Sequence, residues 1–322
     1  MVDWQLRATD GTLHGTGLDW TRAELTAYVG HMRQIAGVRA VEYADGTARG
    51  IRAFQVTTGS GLYFEVLADR ALDIGRVNFG GVALAWASSV GEVHPAYYEA
   101  EGLGWLRSFS GGLMTTCGLD QFGSPNEDAG EVLGIHGRVG NLPSEQTAYR
   151  CYWDDDTYRM ELSGTIRQTR LFGENLILHR QISTALGSNV IDVRDSVTNE
   201  GFNIQPHMIL YHCNLGFPLL GPDATLNINA AETTPRDTAA ATGIDDWSRF
   251  DTPMAYYAEQ VFRHSVVPGD DNIAAATLRN PSVGLALTMQ WRQDTMPHLF
   301  QWKQMGQGAY ALGLEPANSA AI

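Results

Sequence analysis

The amino-acid sequence predicts an all-β fold, an antiparallel sandwich with a short helix near the N-terminus. Three observations carry this reading. From about residue 50 apolar side chains recur at every second position. The alternating runs are short and are separated by glycine and polar turn residues. The 35 glycines in 322 residues supply the tight turns that many short strands need.

The helix is signalled over about 21–37. Thr21 followed by Glu24 reads as a capping box, each side chain able to satisfy a backbone donor of the other. Leu25, Tyr28, Val29 and Met32 follow at helical spacing, and Gly37 reads as the stop. Strand signals come next. Leu62, Phe64 and Val66 alternate with Tyr63, Glu65 and Leu67, and Tyr158, Met160 and Leu162 alternate likewise. Residues 175–182 and 190–197 form two further strands around the turn Leu186-Gly187-Ser188-Asn189, and Asn199-Glu200-Gly201 closes the second. Asp154-Asp155-Asp156 reads as a solvated turn. The stretches 88–147 and 228–258 show little alternation and read as long loops, which inside a compact domain usually serve function. With no internal repeat and no linker, one domain over 1–322 is expected.

The formal charge of −14, from 36 acidic and 22 basic residues, argues against nucleic acid and against a membrane surface as partner. A neutral small molecule such as a sugar fits this balance. Cys117, Cys151 and Cys213 are an odd set without CxxC spacing, which suits a reducing compartment. The N-terminus shows no signal-peptide pattern and no run of about 18 apolar residues occurs, so a cytoplasmic location is expected. No GxGxxG follows a strand, and no cofactor is expected. A homodimer is left open as an assembly.

Five segments concentrate polar, aromatic and glycine residues: 68–75, 105–119, 134–143, 206–220 and 313–318. Within them Thr116-Cys117-Gly118-Leu119, Gly134-Ile135-His136-Gly137-Arg138, Tyr211-His212-Cys213-Asn214-Leu215-Gly216-Phe217-Pro218-Leu219-Leu220 and Gly313-Leu314-Glu315-Pro316-Ala317-Asn318 resemble, in this order, the aldose 1-epimerase-like proteins of the galactose mutarotase superfamily. The resemblance is strongest to the branch known as DUF4432 and runs from about residue 60 to the end of the sequence. It implies a galactose mutarotase-like β-supersandwich and further strands beyond the glutamate motif.

It also implies roles. A strand histidine acts as general acid and a late glutamate as general base in that superfamily, which points to His212 and Glu315. His136 matches a histidine that helps hold the sugar. His207 is the rival of His212 for the same role.

The chemistry suits the residue types. Opening a cyclic hemiacetal needs a base at the anomeric hydroxyl and an acid at the ring oxygen, and a carboxylate with an imidazole can supply both near neutral pH. Arg70, Arg107 and Arg138 could bond sugar hydroxyls or a carboxylate, with Asp73 a further polar candidate. Trp105, Trp291 and Trp302 could stack on a pyranose face. Each has a plainer alternative. His212 could be a satisfied core histidine, Glu315 a surface carboxylate, and the arginines structural partners of residues such as Asp69 and Asp73.

Two other functions stay open. His136, His207, His212, His298 and Glu315 could converge on a metal in an isomerase or epimerase acting at another carbon. A carbohydrate-binding protein without catalysis is the third reading.

Overall fold

The alternating runs pair into antiparallel sheets in the computed structural model, which describes residues 2–8, 20–128 and 130–320. Eight strands form the largest sheet, in the order Ser144–Asp154, Thr157–Thr169, Asn175–Ala185, Val190–Asn199, Val2–Ala8, Leu285–Arg292, Ile273–Asn280 and Thr225–Ile228. The second sheet has six, in the order Ala230–Pro235, Gln260–Val266, His298–Gly306, Ala309–Ala317, Met208–Gly216 and Thr115–Leu119. A five-stranded sheet is a meander over Gly37–Glu42, Arg52–Thr57, Leu62–Leu67, Asp73–Phe79 and Val82–Ala83. A small hairpin joins Asn126–Asp128 to Glu131–Leu133.

The predicted helix is shorter than expected. Only Arg22–Thr26 is α-helical, and it does begin at a capping box, with Glu24 Oε2 accepting from Thr21 N at 2.9 Å. The helix closes on Ala27, before Gly30 is reached. A 3₁₀ turn follows at Met32–Gln34, and Gly37 opens a strand instead of ending a helix. Leu25, Val29 and Met32 are nevertheless buried.

Both stretches expected to be loops contain strands. Thr115–Leu119 is buried at every position, so it shows no alternation to read. Ala230–Pro235 lies at the sheet edge and is mostly exposed, so it too lacks an apolar face.

The main core draws Leu162, Ile182, Tyr211, Leu314, Phe64 and Ile74 from the three larger sheets. A buried ionic network ties the same sheets together. Arg180 donates to both oxygens of Asp195, at 2.9 and 2.6 Å, and to Asp73 Oδ1 at 2.8 Å. The Tyr211 hydroxyl donates to Asp195 Oδ2 at 2.7 Å. Burying these charges is tolerable because each is paired and hydrogen-bonded.

Tyr211, Cys213 and Leu215 join this core, and Leu210 belongs to a smaller cluster with Trp105, Phe109, Cys117, Phe122 and Phe300. Alternation along the strand therefore turns His212 away from the main core, as the flanking Tyr211 and Cys213 require.

Candidate functional site

Strand register brings the two expected catalytic residues together. Leu210 pairs with Ala317 and Cys213 with Leu314, and counting between these pairs puts His212 opposite Glu315. Directly opposed side chains on neighbouring antiparallel strands lie about 5 Å apart at Cβ. His212 Nε2 is accordingly 3.2 Å from Glu315 Oε1, with both side chains buried. The approach lacks hydrogen-bond angles: Glu315 Oε1 and His212 Nδ1 are buried polar atoms with no partner. Buried polar groups are nearly always satisfied, so this pair is unusual.

Burial drives the two groups to opposite extremes. Glu315 is pushed up to about 8, by burial first and then by the negative charge of Glu259, with Arg236 acting the other way. His212 is pushed down to about 3, by burial and then by His136, with the Asn214 side chain acting the other way. Burial also lowers His136 to about 4. Neutral forms are thereby favoured at neutral pH, a carboxyl facing an imidazole.

Aromatic rings wall the pair. The His212 ring centroid is 5.1 Å from Phe109, 5.5 Å from His136 and 5.6 Å from Trp302. Trp105 stacks on Phe109 at 4.4 Å and tilts against His136 at 4.7 Å. Trp86 meets Trp302 edge-on at 5.6 Å. The Trp302 indole is held from outside, Nε1 donating to Glu259 Oε2 at 2.9 Å, and Arg236 donates to Glu259 Oε1 at 3.1 Å. His136 sits in a turn with φ of 61°, its backbone N–H donating to Gly123 O and its carbonyl accepting from Gly118 N.

His136, His212, Trp302 and Glu315 thus converge, with Trp105 against His136, whereas the remaining expected site residues make their contacts elsewhere. Arg70 is buried and donates to the carbonyls of Gly140, Val93 and Ser108, fastening the loops that carry Trp105 and His136. Asp73 accepts from Thr116 N and Oγ1 and from Arg180 in the core network. Arg107 is exposed and pairs with Glu99. Arg138 donates to Glu174 and to Thr169 O, beside the His136 turn. His207 is exposed just before the His212 strand, its carbonyl accepting from Asn318 Nδ2. His298 stacks on Phe300 with ring centroids 6.4 Å apart. Trp291 lies in the main core, its Nε1 donating to Met296 O, and so is not part of the His212–Glu315 surround. Among the described residues no three His, Cys, Asp or Glu side chains gather as a metal-holding group.

Trp86, Phe109, Glu259 and Gly313 belong to this surround without having been singled out from sequence. Phe109 and Gly313 sit inside the motif segments; Gly313, two residues before Glu315 on one strand, could have been found by alternation, whereas Phe109 lies in irregular chain where period two gives no signal. Trp86 and Glu259 lie outside any motif.

An open trough of about 610 Å³ lies elsewhere, on the large sheet between residues such as Glu161, His179, Gln181 and Arg194. Several of its polar groups already pair with protein partners, Arg150 with Glu161 and His179 with Thr165. The buried His212 and Glu315, each with an unsatisfied polar atom and a strongly displaced acidity, make the stronger candidate for chemistry.

Residues 48–322 match a protein family described as "Domain of unknown function (DUF4432)". No curated protein matches the chain. Among solved structures, a "putative aldose 1-epimerase" from Klebsiella pneumoniae superposes with a TM-score of 0.84 at 22% identity, covering 100% of this chain and 84% of that one. A galactose mutarotase-like protein from Clostridium acetobutylicum gives 0.55 at 13% identity, over 89% of each chain. Galactose 1-epimerase from Lactobacillus acidophilus gives 0.52 at 13%, over 89% and 91%. These likenesses establish a galactose mutarotase-like fold.

Proposed function

The chain belongs to the DUF4432 family, and from that premise we propose that it opens and recloses the cyclic hemiacetal of an aldose, with Glu315 and His212 as the proton-transferring pair. The observation that carries this reading is the 3.2 Å approach of two buried groups, each with an unsatisfied polar atom, whose acidities are driven apart. Environments that separate two titratable groups in this way are a recurring mark of acid and base partners.

The reaction needs the anomeric O–H proton removed as the ring oxygen gains one. The bond between the anomeric carbon and the ring oxygen breaks, leaving an open-chain aldehyde. Rotation about the adjacent carbon–carbon bond and the reverse proton transfers close the ring on the other face. No proton is gained or lost overall, so a pair holding one proton suffices. In the free protein burial keeps that proton on Glu315. For Glu315 to serve as base and His212 as acid, it crosses to the imidazole, a move that leaves the net charge of the pair unchanged. Trp302, Phe109 and Trp86 offer apolar faces for sugar C–H groups, and His136 offers a ring nitrogen for a hydroxyl.

The test is Glu315→Gln, which keeps size and removes ionisation. Polarimetry on freshly dissolved α-anomers of several aldoses should show acceleration by the wild type and loss of it in the variant, with sugar binding retained by calorimetry. Unchanged interconversion in the variant overturns the assignment. Binding without any acceleration by the wild type would leave a carbohydrate-binding protein.

A further inference from the structure

Unusual side chains are exposed at one end of the eight-stranded sheet. Phe172 is 98% exposed and Ile204 100%, Phe202 is fully exposed, and Leu171 and Val132 are largely so. Soluble proteins rarely gather this much bare apolar surface without a use for it. Phe172 also stands at a hairpin tip with φ of 63°, in the left-handed region, where glycine or asparagine is the unstrained choice and a bulky aromatic is rare.

The segments carrying these residues are tied to one another. Arg170, just before Leu171, pairs with Glu131, next to Val132, at 2.8 Å. Glu200 N donates to Asn175 O at 2.9 Å, which brings the Phe202 loop beside the Phe172 hairpin. Two of the segments lead into the candidate site. The 131–133 strand runs on to His136, and the loop with Phe202 and Ile204 runs on to the strand of His212.

We propose that this patch is where a second copy of the chain docks, as a two-fold symmetric homodimer. The area is sufficient. Phenylalanines bury roughly 150–250 Å² each. Two phenylalanines with the smaller Leu171, Ile204 and Val132 on each of two copies come to roughly 1,200–1,600 Å² in all, inside the range of about 1,200–2,000 Å² for stable interfaces. A two-fold axis sets the patch against its own copy, so no second complementary surface is needed.

The charges around the patch are compatible with this docking. Arg170 pairs with Glu131 and Glu174, Arg138 with Glu174, and Arg167 with Glu145 and Glu200. The patch is framed by charges that are already matched, so two copies can approach it despite a net charge of −14. The same framing offers no excess cation to an anionic lipid surface or a nucleic acid. Docking of this kind is independent of what reaction the site performs.

Sedimentation velocity on the full chain from about 1 to about 100 µM tests it. The wild type should sediment as a particle of twice 35.2 kDa, and the double variant Phe172→Ser, Phe202→Ser as one of 35.2 kDa. Thermal melts check that the variant is folded. Leu171→Glu is the second probe: it puts a charge into the apolar patch of both copies and should also give monomer. A wild type that stays monomeric at the highest concentration overturns the proposal, as does a dimer that persists in both folded variants.

Discussion

A Cβ on Gly313 would sit 2.6 Å from Glu315 Oε1, so the bare backbone at this position is what lets the carboxyl lie across its own strand. The same Cβ would approach His212 Cε1 to 3.2 Å. Residues two apart on a strand share a face, and the glycine therefore clears space for both members of the pair. Its own backbone is not in the left-handed region, so alanine fits the chain and clashes only with the site. Gly313→Ala should lower kcat for anomer interconversion by about 10²-fold, the scale expected for small misplacements, while shifting Tm by a few degrees at most. Polarimetry and a melt together check it.

The pair should hold one exchangeable proton between about pH 3 and about pH 8. Above that window Glu315 ionises while His212 is already neutral, and no proton remains to give the ring oxygen. A pH–rate profile of kcat/KM is expected to run level through neutrality and to fall about tenfold for each pH step of one on the alkaline side of Glu315. A limb breaking near pH 6.5, the ordinary histidine value, would contradict the geometry.

Stability should carry the same signature with a sign that can be worked out. Unfolded, Glu315 loses its proton near 4.5, whereas folded it keeps the proton until about 8. Its contribution is full below pH 4.5 and is lost as pH rises through about 8. His212 runs the other way, its share being lost as pH falls from 6.5 through about 3. Glutamine cannot ionise, so Glu315→Gln should abolish the alkaline part. At pH 8 the variant should be more stable than the wild type by up to about 4 kcal/mol, since every tenfold difference in proton affinity between folded and unfolded chains is worth about 1.4 kcal/mol. Urea unfolding across pH reads this directly.

Arg180 links the sheets through Asp73, Asp195 and, beyond Asp195, Tyr211. Arg180→Met leaves two buried carboxylates without their cation. Removing one partner from a buried ion pair typically costs about 3–5 kcal/mol. The variant should unfold at markedly lower denaturant, and Arg180→Lys should recover only part of the loss because lysine cannot reach both carboxylates with a planar fork.

How much of this was legible in the sequence follows from what each signal measures. Period-two patterns report sheets with one face buried and one wet, and they found the strands around Leu62, Tyr158 and Val190. They were silent for Thr115–Leu119, buried throughout, and for the exposed edge Ala230–Pro235. The capping box fixed the start of the helix to the residue, but helical spacing beyond it also fits a turn and a loop that happen to bury Val29 and Met32. Motif resemblance brought forward His136, His212 and Glu315, and stacking chemistry brought forward Trp302; the four do converge. It could not separate cleft arginines from structural ones, because Arg70 and a sugar-binding arginine need the same donors. Trp86 and Glu259 reach the site through tertiary packing alone, and no local pattern announces that.

Glu259 offers the means to separate positioning from electrostatics. Its Oε2 accepts from Trp302 Nε1, and its charge helps hold the proton on Glu315. Glu259→Ala removes both effects. The indole then loses its anchor, so KM should rise several-fold. Glu259→Gln keeps an oxygen to accept from the indole and removes only the charge, so KM should stay near the wild-type value. Without the neighbouring negative charge Glu315 ionises more readily, and the alkaline limb of the pH–rate profile should move to lower pH. If Glu259→Gln leaves the limb where it is, the carboxylate acts on Glu315 only through the placement of Trp302. If Glu259→Ala leaves KM unchanged, the indole is held by its contacts with Trp86 and His212 instead.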